Sequence, residues 1–340
     1  MVKPGRKLFA DETALYRVFC TIGGLLISMA LAAHFWSERF GYAYAVREMP
    51  VLWLVAGIFG AGVLFLLLVV VVKRIADFAA PAPRSIIIGI FAVGFLMRAV
   101  LLFSEPMLED DWQRYLWDGG VVAAFKNPYV YSPQQVIDED VPYPLVELGE
   151  HAPVILSRIN HPELRTIYPI GAEIMFGLSH LAAPFSLTGW RLLILLCETV
   201  TFGLLLLILL QLQRPLIWLS LYWWNPLVVK ELINSAHMEG VLIPFFVGGI
   251  YLYMRRRFQF SHLLIWIAAS IKLWPALLAP FLWWRMRGNI WSLVLAGVIA
   301  ALFIAAIAVP FLLTGLDETS GLVAYSLKWT TNAALFPLRL

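Results

Sequence analysis

Chemistry in this chain would have to come from one short run of carboxylates and from a few charges set inside apolar sequence. Glu109-Asp110-Asp111 opens a segment that continues Trp112-Gln113-Arg114-Tyr115-Leu116-Trp117-Asp118-Gly119-Gly120. Asp110 or Asp111 can cap a helix there, because a short acidic side chain accepts from the first free amides. Trp112, Tyr115 and Leu116 then share one face. An aromatic face suits a membrane surface, so the helix is expected to lie along it and to end at Gly119-Gly120. The two aspartates would stand just outside the membrane; an acidic cap on a solvated loop would use the same residues.

Lys272 sits near the middle of an apolar run, in Ser270-Ile271-Lys272-Leu273-Trp274-Pro275. A lysine at a helix centre costs roughly 2.5–3.5 kcal/mol on insertion scales, so it should face an anion or an aqueous cavity. Arg98 lies near the end of its run and can snorkel. Glu173 and His180 share a helix face, whereas Glu198 stands mid-run without an evident partner. Lys230, Glu231, His237 and Glu239 gather after Trp223-Trp224-Asn225-Pro226, at an expected interface. Prolines 128, 162 and 169 place Asn127, His161 and Tyr168 in fixed turns.

The elements that must position these groups are membrane helices. The 340 residues are 61% hydrophobic and 14% charged, against about 45–50% and about 25% in soluble domains. Mean hydropathy is +0.80. That balance excludes a disordered chain, a disulfide-stapled secreted domain and a nucleic-acid binder with a basic face. Cys20 and Cys197 lie in apolar runs without metal-ligand spacing and are expected to be buried thiols. Runs long enough to cross ~30 Å of hydrocarbon are Leu15–Trp36, Val51–Val72, Ser85–Phe103, Trp190–Leu210, Met238–Met254 and Ile290–Leu313. Pro169–Phe185, Pro215–Val229 and Leu263–Trp284 are shorter or interrupted. The first run is too long for a signal peptide, and Phe35-Trp36 follow where small residues would be needed.

The chain is read as one integral membrane domain: three transmembrane helices over 1–103, an acidic loop over 104–169, and the remaining helices over 170–340. The loop holds eleven of the 22 acidic residues against four basic ones. Basic clusters lie elsewhere, at Lys3/Arg6/Lys7, Lys73/Arg74/Arg84, Arg255–Arg257 and Arg285/Arg287. The positive-inside rule then puts the N-terminus in the cytoplasm and the acidic loop outside it. Parity returns Arg255–Arg257 to the cytoplasm only if one segment, Pro169–Phe185, does not cross fully. Leu263–Trp284 would be a hairpin of half-helices broken at Lys272–Pro275. Irregular backbone at membrane depth requires protein or water around it, so such breaks mark a site.

In order and spacing, several blocks resemble bacterial membrane glycosyltransferases of the GT-C superfamily. They are Glu109-Asp110-Asp111 with Arg114 to Gly119, Asn127-Pro128-Tyr129, Asn160 to Leu164, Thr166 to Pro169, Trp224 to Leu227, Glu231, Asn234 to His237 and Ile271 to Pro275. The likeness spans about residues 85–335 and is greatest to polyprenyl-phosphate-mannose-dependent mannosyltransferases and glycosyltransferase family 87. Departures are Ile170 where a second proline is expected, Glu173 where an amide is expected, and His237-Met238-Glu239 in place of His-Asn-Asp. The chain also stops at Leu340, where such proteins usually continue into further helices, so it is read as a short or truncated member.

The resemblance implies an all-α GT-C-like bundle of about eight to ten transmembrane or half-membrane helices in the bacterial cytoplasmic membrane. A large extracytoplasmic loop would carry membrane-surface helices. The donor would be a polyprenyl-phosphate hexose, mannose by analogy, and the acceptor a lipid- or glycan-borne hydroxyl. Asp111, or Asp110, would act as general base for an inverting displacement. Lys272 is the first candidate cation for the departing phosphate, followed by Arg98, Arg158 and Arg165. Arg114, Tyr168, His161, His237 and Glu231 complete the implied binding set. A divalent ion is optional; Asp110, Glu231 and Glu239 could gather Mg²⁺ or Mn²⁺. A transporter or flippase for a lipid-linked sugar would also show intramembrane charge and broken helices, but no inverted repeat is visible. A non-catalytic scaffold leaves Lys272 and Asp110-Asp111 unexplained.

Overall fold

The computed structural model describes residues 12–77 and 84–328. Lys3, Arg6 and Lys7, and the last twelve residues, lie outside the described residues. The protein is an all-α polytopic membrane protein, with no strand among the described residues. Its helices are α1 (Glu12–Ser37), α2 (Val51–Ala76), α3 (Arg84–Leu101), α4 (Asp111–Ala123), α5 (Pro133–Ile137), α6 (Tyr143–Glu150), α7 (Pro153–Leu156) and α8 (Ile170–Ala182). There follow α9 (Leu187–Gln211), α10 (Ser220–Trp223), α11 (Pro226–Val229), α12 (Glu239–Met254), α13 (Phe258–Ile271), α14 (Ala279–Met286), α15 (Ile290–Thr314) and α16 (Gly321–Lys328).

Among the described residues five helices, α1, α2, α3, α9 and α15, are long and apolar enough to cross a membrane, and α8, α12 and α13 are shorter apolar helices. Only 11% of the most apolar window of α15 is buried inside the protein. Leu302 and Leu313 there, like Leu52 and Phe59 on α2, are exposed. A helix that is apolar all round and buries little of itself in protein is solvated by lipid. The same reason corrects the expectation of two buried thiols: Cys20 is exposed and Cys197 half-buried. An apolar run in a membrane helix need not face protein. At 13 residues α8 is about 20 Å long, short of ~30 Å of hydrocarbon.

The chain divides into two compact units. The first comprises the described residues up to Glu109 together with Arg191–Gly240; the second comprises Asp110–Trp190 and the described residues from Val241 onward. In the first, Trp223 and Trp224 anchor the short helices between α9 and α12. Their indoles donate to the Phe91 and Ile90 carbonyls at 2.9 and 2.8 Å. Trp223 lies over Gly94 so closely that an added Cβ would stand 2.2 Å from its ring.

In the second unit, α4 packs on α8. A Cβ on Gly119 would come within 2.5 Å of the Phe176 carbonyl oxygen. Tyr115 stacks on Phe176 at 4.7 Å. Two expectations are corrected here. The helix runs through Gly119-Gly120 rather than ending there, because these glycines serve close helix approach. Its Tyr115, Leu116 and Trp117 are buried in protein, not laid on a membrane surface. The short helices α5, α6 and α7 close over Trp117 and Val121 through Val136, Leu145 and Leu156. α13 begins at Phe258, earlier than the hydropathy pattern indicates, and breaks at Lys272, whose backbone is extended (φ −150°, ψ 135°). A 3-10 turn at Trp274–Leu278 and α14 then fold back on α13.

Candidate active site

Asp110 takes the N-cap position of α4, with the Gln113 amide donating to its carbonyl. Its side chain makes no capping bond, so position, not side-chain capping, is what the sequence pattern captured. Asp111 is the first residue of the helix and is exposed. The positive helix end favours charge on a carboxylate placed there. Below it, Arg114 Nε donates to both Asp118 oxygens at 2.9 Å, and Nη1 donates to the Leu164 carbonyl. Burial pushes the Asp118 carboxyl up, against the Arg114 charge that holds it down. Thr166 donates to Glu173 Oε1 at 2.7 Å, and the Tyr129 hydroxyl donates to the Tyr168 carbonyl at 2.8 Å.

This network holds the Thr166–Pro169 turn against α4 and fixes Tyr168 edge-on to Tyr115, with ring centroids 5.2 Å apart. Burial, then the charge of Asp111, pushes the Tyr168 phenol well above its ordinary value. It stays a neutral donor. Immediately after the turn, Gly171 lies on Ser270; a Cβ there would be 2.2 Å from the Ser270 hydroxyl. The start of α8 thus touches the end of α13 two residues before Lys272. Asp111, Tyr168 and the Lys272 break are therefore linked through α4, α8 and α13 within one unit. Lys272 is exposed at that break.

The first unit carries a separate ionic cluster. His237 Nε2 is 3.2 Å from Glu109, and its Nδ1 is 3.2 Å from Glu231. Lys230 Nζ is 3.1 Å from Glu231 and 3.9 Å from Glu109. Burial lowers the His237 pKa, but the hydrogen bonds to Glu109 and Glu231 outweigh it and push it up to about 10. The His237 bond holds Glu231 below its ordinary value despite partial burial. Two clamps set this geometry. Asn234 accepts from the Met107 amide at 3.1 Å and donates to Ser104 Oγ and the Glu105 carbonyl. Arg191, fully buried, donates to the carbonyls of Leu102, Ser104 and Asn234.

Glu109, Glu231 and His237 each offer one ligand atom, all within 4.8 Å of one another. Ligation requires a bare imidazole nitrogen. Here both nitrogens face carboxylates and Lys230 supplies a second positive charge. Without an ion the cluster carries its own cations at neutral pH; a divalent ion held by Glu109, Glu231 and His237 would have to displace the His237 proton. Of the sequence candidates, Glu231 joins this cluster, Glu239 acts on His237 through charge, and Asp110 belongs to the second unit.

Other predicted residues lie elsewhere. Arg98 is fully buried and paired with Glu198 at 2.7 Å; its snorkelling is corrected, since an acid across the interior outcompetes a distant interface. That pairing also gives Glu198 the partner that hydropathy could not reveal. Arg165 spends its guanidinium on the Thr314 and Gly315 carbonyls and on Asp317. Arg158 is exposed in the turn after α7, and exposed His161 has φ +55° with Nδ1 3.4 Å from Glu163. Glu109, Arg191 and Asn234 were not singled out as site residues. Arg191, a charge at the start of an apolar run, was the available signal for the clamp.

Fold and site together define a polytopic helical membrane protein with a carboxylate at a helix N-terminus and a cation at a helix break. Residues 173–288 match the family model described as alpha-(1->6)-mannopyranosyltransferase, N-terminal domain. This match indicates a mannosyltransferase, hence a glycosyltransferase, and fits the GT-C resemblance. It covers Glu231, His237 and Lys272. No curated protein and no solved structure matches the chain.

Proposed function

We propose that the protein is a GT-C mannosyltransferase that moves mannose from a polyprenyl-phosphate donor to an extracytoplasmic lipid- or glycan-borne hydroxyl. The α-(1→6) linkage is the one named for the matched family and is the product expected here. Asp111, with Asp110 as the neighbouring alternative, accepts the acceptor hydroxyl proton. The oxygen so freed bonds to C1 as the C1–O bond to phosphate breaks. Polyprenyl phosphate departs with the electron pair, and the anomeric centre inverts. Lys272 neutralises charge growing on the phosphate. Tyr168, held neutral, donates a hydrogen bond to a sugar or acceptor oxygen. In this reading the acidic segment faces the periplasm of a bacterial cytoplasmic membrane and the N-terminus lies inside.

The reading is carried by exposed Asp111 at the start of α4, Tyr168 packed on Tyr115 of the same helix, and the Lys272 helix break, all in one unit. The test uses the full chain in proteoliposomes with polyprenyl-phosphate mannose and an oligomannoside acceptor. Asp111→Asn should lose at least 100-fold in turnover with its melting transition intact. Transfer at the parent rate in both Asp111→Asn and Asp110→Asn would refute the base assignment. Absence of transfer from every polyprenyl-phosphate sugar would refute the enzyme.

A further inference from the structure

In the second unit, three loop segments meet around a cleft of about 410 Å³, within the range of small-molecule sites, ~300–1,000 Å³. Backbone bonds join them: the Gln134 amide donates to the Pro162 carbonyl, and the Arg165 amide to the Thr319 carbonyl, both at 2.8 Å. The Ser132–Gln135 capping box fixes the first segment. Gly321 packs so near Arg165 that an added Cβ would lie 2.5 Å from its carbonyl oxygen. The walls are therefore set before any ligand arrives.

The unused hydrogen-bonding capacity of these walls defines the ligand. Gln134 uses its amide nitrogen on Asp138, leaving its oxygen open. Gln135 uses its oxygen in the capping box, leaving its NH₂ open. Asp317, 59% exposed, takes Arg165 and both donors of Thr319 on Oδ1, and the Ser320 amide also bonds its carboxylate. Val130 adds an apolar patch. Arg165, the one cation lining the cleft among the described residues, is committed to carbonyls and to Asp317. Glu163 adds a second negative charge, so a phosphate would meet two carboxylates and no open cation.

We propose that this cleft binds a neutral polyhydroxylated ligand, the distal sugar of a glycan acceptor. Adjacent hydroxyls both donate and accept, as the open amide and carboxylate atoms require, and a sugar's C–H face suits Val130. The inference rests on the glycosyltransferase reading for its acceptor role, not for binding itself.

The test measures binding and transfer separately. Full-chain protein in nanodiscs, without donor, is titrated calorimetrically with α-1,6-linked mannotetraose, inorganic phosphate and Ca²⁺. Mannotetraose should bind; Gln134→Ala should weaken it at least 10-fold with unchanged melting, and Asp317→Asn should weaken it at least 10-fold. Gln134 is the cleaner probe, since its side chain bonds only exposed Asp138. In the transfer assay the same variants should raise the acceptor KM at least 10-fold while kcat holds. Equal mannotetraose affinity in parent and variants, or binding of phosphate or Ca²⁺ without sugar, would overturn the inference. Binding lost in the variants, with no transfer by the parent, would leave the cleft standing and refute the enzyme.

Discussion

Arg98 offers a sharp test of how this membrane interior is held. Its guanidinium, fully buried, donates to Glu198 Oε2 from Nε at 3.3 Å and Nη2 at 2.7 Å. Nη1 donates to the carbonyls of Gly94 at 3.1 Å and Trp223 at 2.7 Å. The cation also lies 3.7 Å from the centroid of the Trp223 ring. Replacing Arg98 by Met would keep much of the volume but leave the Glu198 carboxylate buried, with the Tyr222 hydroxyl still donating to it. Breaking one side of a buried pair costs about 3–5 kcal/mol. Replacing both charges, Arg98→Met with Glu198→Leu, removes the stranded charge. The residual cost is that of the Trp223 carbonyl, which Arg98→Met strands as well, and of the Tyr222 hydroxyl, about 1–3 kcal/mol each. Denaturant unfolding in detergent micelles, followed by tryptophan fluorescence, reads the parent and both variants. The double variant should be more stable than Arg98→Met alone, with its mannosyl transfer largely restored. A double variant as unstable as the single one would refute the pairing argument. Recovered stability with lost transfer would return Arg98 to the phosphate site.

Three further outcomes follow from local geometry. Gly119→Ala should destabilise by about 1–3 kcal/mol, because its Cβ would meet the Phe176 carbonyl at 2.5 Å; Gly62→Ala, with nothing within 4 Å, should be neutral or mildly stabilising in the same melts. Since folding raises the His237 pKa from 6.5 to about 10, its contribution is complete below pH 6.5 and is lost as pH climbs through about 10. Parent stability should therefore decline across that window, and His237→Ala should flatten the decline. Asn234→Ala removes the bonds to Met107, Ser104 and Glu105. It should cost about 1–3 kcal/mol, measured by unfolding, and speed hydrogen exchange at the Met107 amide.

Much of the architecture was legible because lipid imposes it: a chain this apolar must form helices long enough to satisfy their own backbone. Runs such as Val51–Val72 and Ile290–Leu313 coincide with α2 and α15 within a few residues. Lys272-Leu273-Trp274-Pro275 announced a break, because an intramembrane charge followed by proline cannot continue a helix cheaply. The acidic run before α4 was equally readable. The role of Gly119-Gly120 was not. A glycine pair serves equally as a stop or as a contact, and only the approach of Phe176 decides.

Sequence alone determined that this is a helical membrane protein with one acidic connection and a charged helix break, since hydropathy and charge are local properties. Tertiary structure decided which charges are occupied. Arg98 meets Glu198 a hundred residues away, Arg165 meets Asp317, and Glu109 meets His237 and Lys230. Electrostatic energy depends on distance through space and on burial. Neither is encoded by spacing along the chain, so only the fold shows which charges pair inside the protein.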